Sequence, residues 1–203
     1  MGDKTIVISF TEEQIKKYNG QNSKLCFSAG VGDEDNSAYN VIARSDNISD
    51  TVTIQWKDSF KIAATKSSFS KGVKFRNDTA LQKIEFDERY TLPSDWTNGS
   101  ISSDKLPGKS FKMVNDTEGL ASAVIYKVID GVDKPFYISA SPIDPQGNEV
   151  MTPKASVALW FQKDAETGTM VSVNVSDVSE FKFSNRDSIE LYWDGKHFVE
   201  KDD

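Results

Sequence analysis

One cysteine and one histidine in 203 residues remove several kinds of chemistry at the outset. With Cys26 alone, no intrachain disulfide can form, and its setting in "KLCFSAG" reads as a small buried hydrophobe on a strand. A zinc site needs a cluster of Cys and His ligands, which one of each cannot supply, so no metal centre of that kind is expected. A catalytic triad or dyad would have to use His197, and no G-x-S-x-G or comparable local pattern accompanies it. Long apolar runs are missing as well. None approaches the roughly 18 residues that a membrane-spanning helix needs. Excess positive charge is also lacking. With 24 basic residues against 31 acidic ones, the net charge of -7 argues against nucleic acid and anionic membrane surfaces as general partners.

The opening "MGDKTIVISF" carries Asp3 and too short an apolar stretch for a secretory leader. Ile6 stands where a myristoylation pattern requires Ser or Thr. A cytoplasmic location is therefore expected, although a chain secreted after processing would read the same. Five N-x-[ST] sequons, at Asn47, Asn77, Asn98, Asn115 and Asn174, fit a Ser-, Thr- and Asn-rich composition without implying glycosylation.

Large apolar side chains, by contrast, are plentiful. Twelve Phe, six Tyr and four Trp supply enough surface for a folded core. Ile6, Ile8 and Phe10 alternate in "KTIVISF", the period of a strand. In the following "TEEQIKKYNG", Thr11 and Gln14 form a capping-box signature and Gly20 is a natural stop, which predicts one short helix. Short strand-like runs then recur, separated by Gly, Asn, Asp and Ser clusters, in the manner of a sandwich or barrel. The stretch from Pro93 to Gly119 lacks sustained periodicity and reads as a connection or functional loop.

Two segments raise the question of repetition. "VTIQW" at Val52 and "VALWF" at Val157 lie 105 positions apart, as do "KIEF" at Lys83 and "SIEL" at Ser188. A shared offset suggests an internal duplication. The expectation is an all-β chain of two antiparallel β-sandwich-like units, pseudo-duplicated, with one short N-terminal helix. The units fall at residues 1–95 and 120–203, with a linker or long loop at 96–119.

Candidate binding residues are mostly aromatic. Trp160 takes the outward position that Gln55 holds in the earlier segment, so its ring is either covered by other protein or presented to a ligand. Trp96 lies in the polar "LPSDWTNGS". Tyr192 and Trp193 are adjacent on a strand and must face opposite ways, and His197 follows an Asp194-Gly195 turn. Two acidic loops, "GDEDNS" from Asp33's preceding glycine and "DPQGNE" from Asp144, resemble weak calcium sites but read better as solvated turns. Lys61, Lys66, Lys71, Lys74 and Arg76, interleaved with Phe60, Phe69 and Phe75, form a local reversal of charge. The expected function is non-enzymatic binding of a small aromatic ligand, a pigment among the options, at an aromatic-lined junction of the two units. The cofactor is unknown, the partner a small molecule or glycan, and the oligomeric state is not legible. A lectin-like carbohydrate-recognition protein is the alternative, and a membrane-active defence protein the third reading.

Overall fold

A computed structural model describes residues 2–33, 36–173 and 175–202. Among them the strands, in chain order, are β1 (Lys4–Ser9), β2 (Ser23–Asp33), β3 (Asn36–Ala38), β4 (Arg44–Asp46), β5 (Thr51–Thr65), β6 (Gln82–Ile84), β7 (Glu88–Leu92) and β8 (Ser100–Ser103). They continue with β9 (Phe111–Asn115), β10 (Ser122–Ile129), β11 (Val132–Ile138), β12 (Asn148–Met151), β13 (Pro153–Lys163), β14 (Ser179–Lys182), β15 (Ser188–Trp193) and β16 (Phe198–Glu200). One α-helix, α1 (Glu12–Gly20), accompanies them. The chain is all-β with one short helix, as its patterning predicts.

The helix starts where its capping box places it. Thr11 Oγ1 accepts the Gln14 N–H at 3.3 Å, and Gln14 Oε1 accepts the Thr11 N–H at 3.0 Å. Glu12 and Glu13 then sit against the positive end of the helix dipole. The helix lies on the core through Ile15 and Tyr18.

Three sheets form. A seven-stranded sheet runs β11-β10-β5-β1-β15-β16, with β6 also pairing β5. A five-stranded sheet runs β14-β13-β2-β3, with β4 also on β2, and a four-stranded sheet runs β12-β9-β7-β8. Pairing is antiparallel except for β1 with β15 and β7 with β9, which are parallel. The two larger sheets pack face to face through the alternating rows the sequence displays. Val52, Ile54 and Trp56 of β5 are buried while Thr51, Thr53 and Gln55 are exposed. Opposite them stand Leu25, Phe27 and Ala29 of β2 with Val157 and Leu159 of β13, all in one cluster, and the Phe27 and Trp56 rings meet at 5.3 Å. Tyr90, Leu92, Phe111 and Met113 of the small sheet complete that core.

The sheets do not respect the expected division at 96–119. Each draws strands from both sides of it, so the halves of the chain are interleaved. Nor is 96–119 a linker: it contains β8 and β9, and Phe111, Met113 and Asn115 are fully buried. "FKMVN" alternates over only five residues, too few to stand out among Ser, Asp and Gly. Asn115 is held because its Nδ2 donates to the carbonyls of Gly119, Ile143 and Asp144, while Oδ1 accepts from Thr117 N–H and Oγ1–H. Two-fold repetition also finds no counterpart in the pairing. Phe60 of β5 pairs with Ile84 of β6, yet the matching strand at 105 positions, β15, pairs with β1 and β16 and not with β13.

Residues 39–43 and 70–74 lie with 168–171 as an irregular layer, joined by bonds such as Ile42 N–H to Thr169 O at 3.0 Å and Met170 N–H to Val73 O at 2.9 Å. Residues 51–56 and 60–64, which read as separate strands, are one continuous β5.

Gly99 lies in the segment expected to be a linker and tests how tightly it is packed. A Cβ there would enter the Tyr90 ring and come within 2.7 Å of the Thr91 carbonyl oxygen, whereas one at Gly119 meets nothing within 4 Å. Gly99→Ala is expected to lower the unfolding free energy by about 2 kcal/mol. Gly119→Ala should change it by less than about 0.5 kcal/mol in the same urea titration. Equal effects would refute the packing described.

Candidate ligand-binding site

The rule that buries every second residue of β5 and β10 also places two charges inside. Along β5 the inward row runs Val52, Ile54, Trp56, Asp58, Phe60. Along β10 it runs Ala123, Ile125, Lys127, Ile129. Lys127 is only 2% exposed, and its Nζ lies 3.1 Å from Asp58 Oδ1. The ammonium also sits 5.3 Å from the centroid of Phe60 and 5.4 Å from that of Phe136.

Two irregularities of the sheet create this arrangement. Between β5 and β10 the register passes from Lys127↔Phe60 to Val128↔Lys57, which leaves Asp58 and Ser59 without ladder partners. Between β10 and β11 it passes from Ile125↔Tyr137 to Tyr126↔Pro135, which leaves Phe136 over. Bulges re-aim side chains. Here one on each side of β10 brings a carboxylate and an aromatic ring to the same lysine.

Asp58 and Phe60 also belong to the wall of a cleft of about 390 Å³, formed by residues 58–60 and 83–86. Buried Phe60 and Ile84 and half-buried Phe86 give it an apolar side. Exposed Lys83 and Glu85, paired at 2.5 Å, flank them. Behind the cleft the Phe60 ring contacts Phe86 at 5.7 Å and Phe111 at 5.4 Å, and Phe86 stacks on Phe111 at 6.3 Å. The cleft thus lies where the seven-stranded sheet turns, through β6, into the four-stranded one.

Burial disfavours the charged amine and lowers the Lys127 pKa, against the opposing attraction of Asp58. The native lysine therefore sheds its proton before the unfolded one does, and stability rises with pH from the lowered native value toward the ordinary value of 10.5.

A second polar cluster lies on β11 and β12. Glu149 accepts the Tyr137 hydroxyl at 2.6 Å and the Ser139 hydroxyl on its other oxygen. Burial raises its pKa, and these two hydrogen bonds offset part of the rise. Glu149 borders an open depression formed by residues 140–144 and 147–149.

The candidate binding residues Trp96, Trp160, Tyr192, Trp193 and His197 are not gathered into one place, and none lines the cleft at 58–60 and 83–86. Trp160 is 6% exposed, in a separate cluster with Cys26, Tyr39, Ile42 and Val171, so other protein covers its ring. Trp193 is half-buried among Tyr18, Phe161 and Phe198, and its indole N–H donates to Tyr18 Oη at 2.9 Å. Tyr192 faces outward at 42% exposure. His197 is exposed in the β15–β16 loop, where Asp194 Oδ1 accepts its backbone N–H and that of Lys196. Trp96 adopts φ 59° and packs at the edge of the main core under Lys66, whose Nζ is 5.0 Å from the ring centroid. Cys26 is buried and its thiol is pushed up to about 12.

Two of the five basic residues of the Lys-rich segment are matched by acids from elsewhere. Lys61 pairs with Asp133 at 2.6 Å and Lys74 with Glu166 at 2.5 Å. Among the described residues no three His, Cys, Asp or Glu side chains gather to hold a metal, and the acidic loop at 33–36 falls partly outside those residues. No described helix is long and apolar enough to cross a membrane. Comparison with known proteins finds no matching family model, no curated relative and no similar solved structure.

The asymmetry of the Lys127–Asp58 pair gives a direct test. Asp58→Asn strands a buried ammonium and is expected to cost about 3 kcal/mol. Lys127→Met leaves only a carboxylate that reaches water, at 29% side-chain exposure, and should stay within about 1 kcal/mol of the parent. Chemical denaturation of both variants measures this, and the reverse order would contradict the geometry. For Glu149, the raised native pKa means stability is greatest at acid pH and falls as pH rises from the ordinary 4.5 toward the native value. Glu149→Gln should abolish that part of the pH slope in a denaturation series from acid to neutral.

Proposed function

We propose that the protein is a non-enzymatic binder of a small, planar, largely apolar ligand, held in the cleft between β5 and the β6–β7 turn. The observation that carries this reading is the placing of Asp58, with Lys127 behind it, beside the apolar side formed by Phe60, Ile84 and Phe86, which Ser59, Lys83 and Glu85 flank. A ligand pocket typically combines such a wall with few polar groups that orient what it holds. The ring of the ligand lies against Phe86 and Phe60, and its polar end points toward Asp58.

Carbohydrate recognition draws less support. The polar cleft of about 460 Å³ formed by Lys24, residues 44–47, Ser49 and residues 51–53 has no aromatic ring among its lining residues for a sugar to stack on. A membrane-active role draws less still, because Lys61 and Lys74 have acidic partners and Phe60 is turned inward.

Native mass spectrometry and an absorption spectrum of protein purified from its natural source test the reading. The expected result is a bound mass beyond that of the chain, lost or weakened roughly five- to tenfold in Phe86→Ala, the worth of one aromatic contact. A bare chain mass, or a bound mass indifferent to Phe86, would overturn it.

A further inference from the structure

Lys127 is a nucleophile that simple ligand binding does not use. We propose that Lys127 captures its ligand covalently, its Nζ condensing with a small aromatic aldehyde seated in the neighbouring cleft to form an imine. This rests on the reading of that cleft as the ligand site.

Position is the first argument. Nζ lies 3.1 Å from Asp58 Oδ1 and faces the Phe60 ring, and both of those residues form the cleft wall. The amine is therefore one side chain behind the surface that a ligand would touch. Among the described residues its ammonium makes one hydrogen bond, to Asp58, although it carries three donors. Two rings stand where further acceptors would be. Methionine would fill this space without the cost of desolvating a charge, so packing alone does not explain a lysine here.

The chemistry balances without any further reactant. The ammonium passes one proton to the Asp58 carboxylate, and the neutral amine adds its lone pair to the aldehyde carbon, whose oxygen takes a proton to give a carbinolamine. The nitrogen then expels that hydroxyl, which leaves as water with the proton held by Asp58. Loss of the remaining N–H proton leaves a C=N bond. No electrons are gained or lost. Asp58 reaches solvent at 29% side-chain exposure, which provides a path for protons and for the released water. Burial favours the neutral amine that this step needs. Lys83, in the same cleft, has its pKa raised by its hydrogen bond to Glu85 and the attraction of that charge.

The test treats the folded full chain with cinnamaldehyde near neutral pH, reduces with cyanoborohydride and maps the cinnamyl mass by peptide sequencing. Lys127 is expected to be labelled in preference to Lys83 and the other lysines, because its amine lies beside the cleft that seats the ring. The preference should vanish when the protein is unfolded in guanidinium before labelling. Cinnamyl alcohol, which has the ring but no aldehyde, should bind the parent by ligand-observed NMR and give no imine absorbance, and Lys127→Met should lose the imine absorbance that cinnamaldehyde gives with the parent. If the alcohol binds but Lys127 remains unlabelled, or is labelled no faster than in unfolded chain, covalent capture is wrong and the cleft stands. If neither compound binds, the cleft reading fails and the capture falls with it.

Discussion

Hiding one face of each of two large sheets from water is the constraint on which the rest of this molecule depends. Neither sheet is stable alone, because each presents a continuous row of Ile, Val, Leu, Phe and Trp. Packing them together joins Phe27 to Trp56 and Trp56 to Phe183, the latter at 4.8 Å, and fixes which side of every strand is inside. A register slip of one residue would turn those rows to solvent. The small sheet, the helix and the irregular layer at 39–43, 70–74 and 168–171 then cover what remains. That layer explains why Trp160 and Cys26, on the far face of β13 and β2, are as dry as the core itself.

Against such a constraint, a lysine and an aspartate on the inward rows are conspicuous. Each sits at a position where the strand period demands an apolar side chain. The bulges beside them show how the sheet accommodates the pair: ladder bonds are lost at Asp58, Ser59 and Phe136, and a carboxylate meets its cation in return. The cleft opens where the ladder is interrupted, and the same displaced residues form its wall. Irregular backbone and available surface are here one feature.

Much of this architecture was legible in the chain. Thr11 and Gln14 announced the helix because a capping box is a local device that needs no distant partner. β1 and β5 announced themselves by alternation. Long-range pairing leaves no such trace. Nothing in "SIEL" says that it will lie parallel to β1, and the strands that match at 105 positions do not share a pairing pattern. The segment 96–119 was misread because its two strands are short and its buried anchor is Asn115, a residue normally taken for a turn. The candidate site was half visible. Asp58 and Lys127 could have been found by extending the inward rows, whereas a search guided by exposed aromatics led to Trp160, which other protein covers, and to Trp193, which packs with its own neighbours.

The parallel pairing of β1 with β15 has a consequence in time. Lys4 and Asp187, joined across the end of that pair, are 183 positions apart, and Ile6 and Ile8 are fully buried between β5 and β15. During synthesis the first strand leaves the ribosome long before its second neighbour exists. One of its edges stays open until then, available to chaperones or to other nascent chains. Closure of the largest sheet must therefore wait for residues 188–193, and a chain interrupted before residue 188 would carry β1 with one side unclaimed.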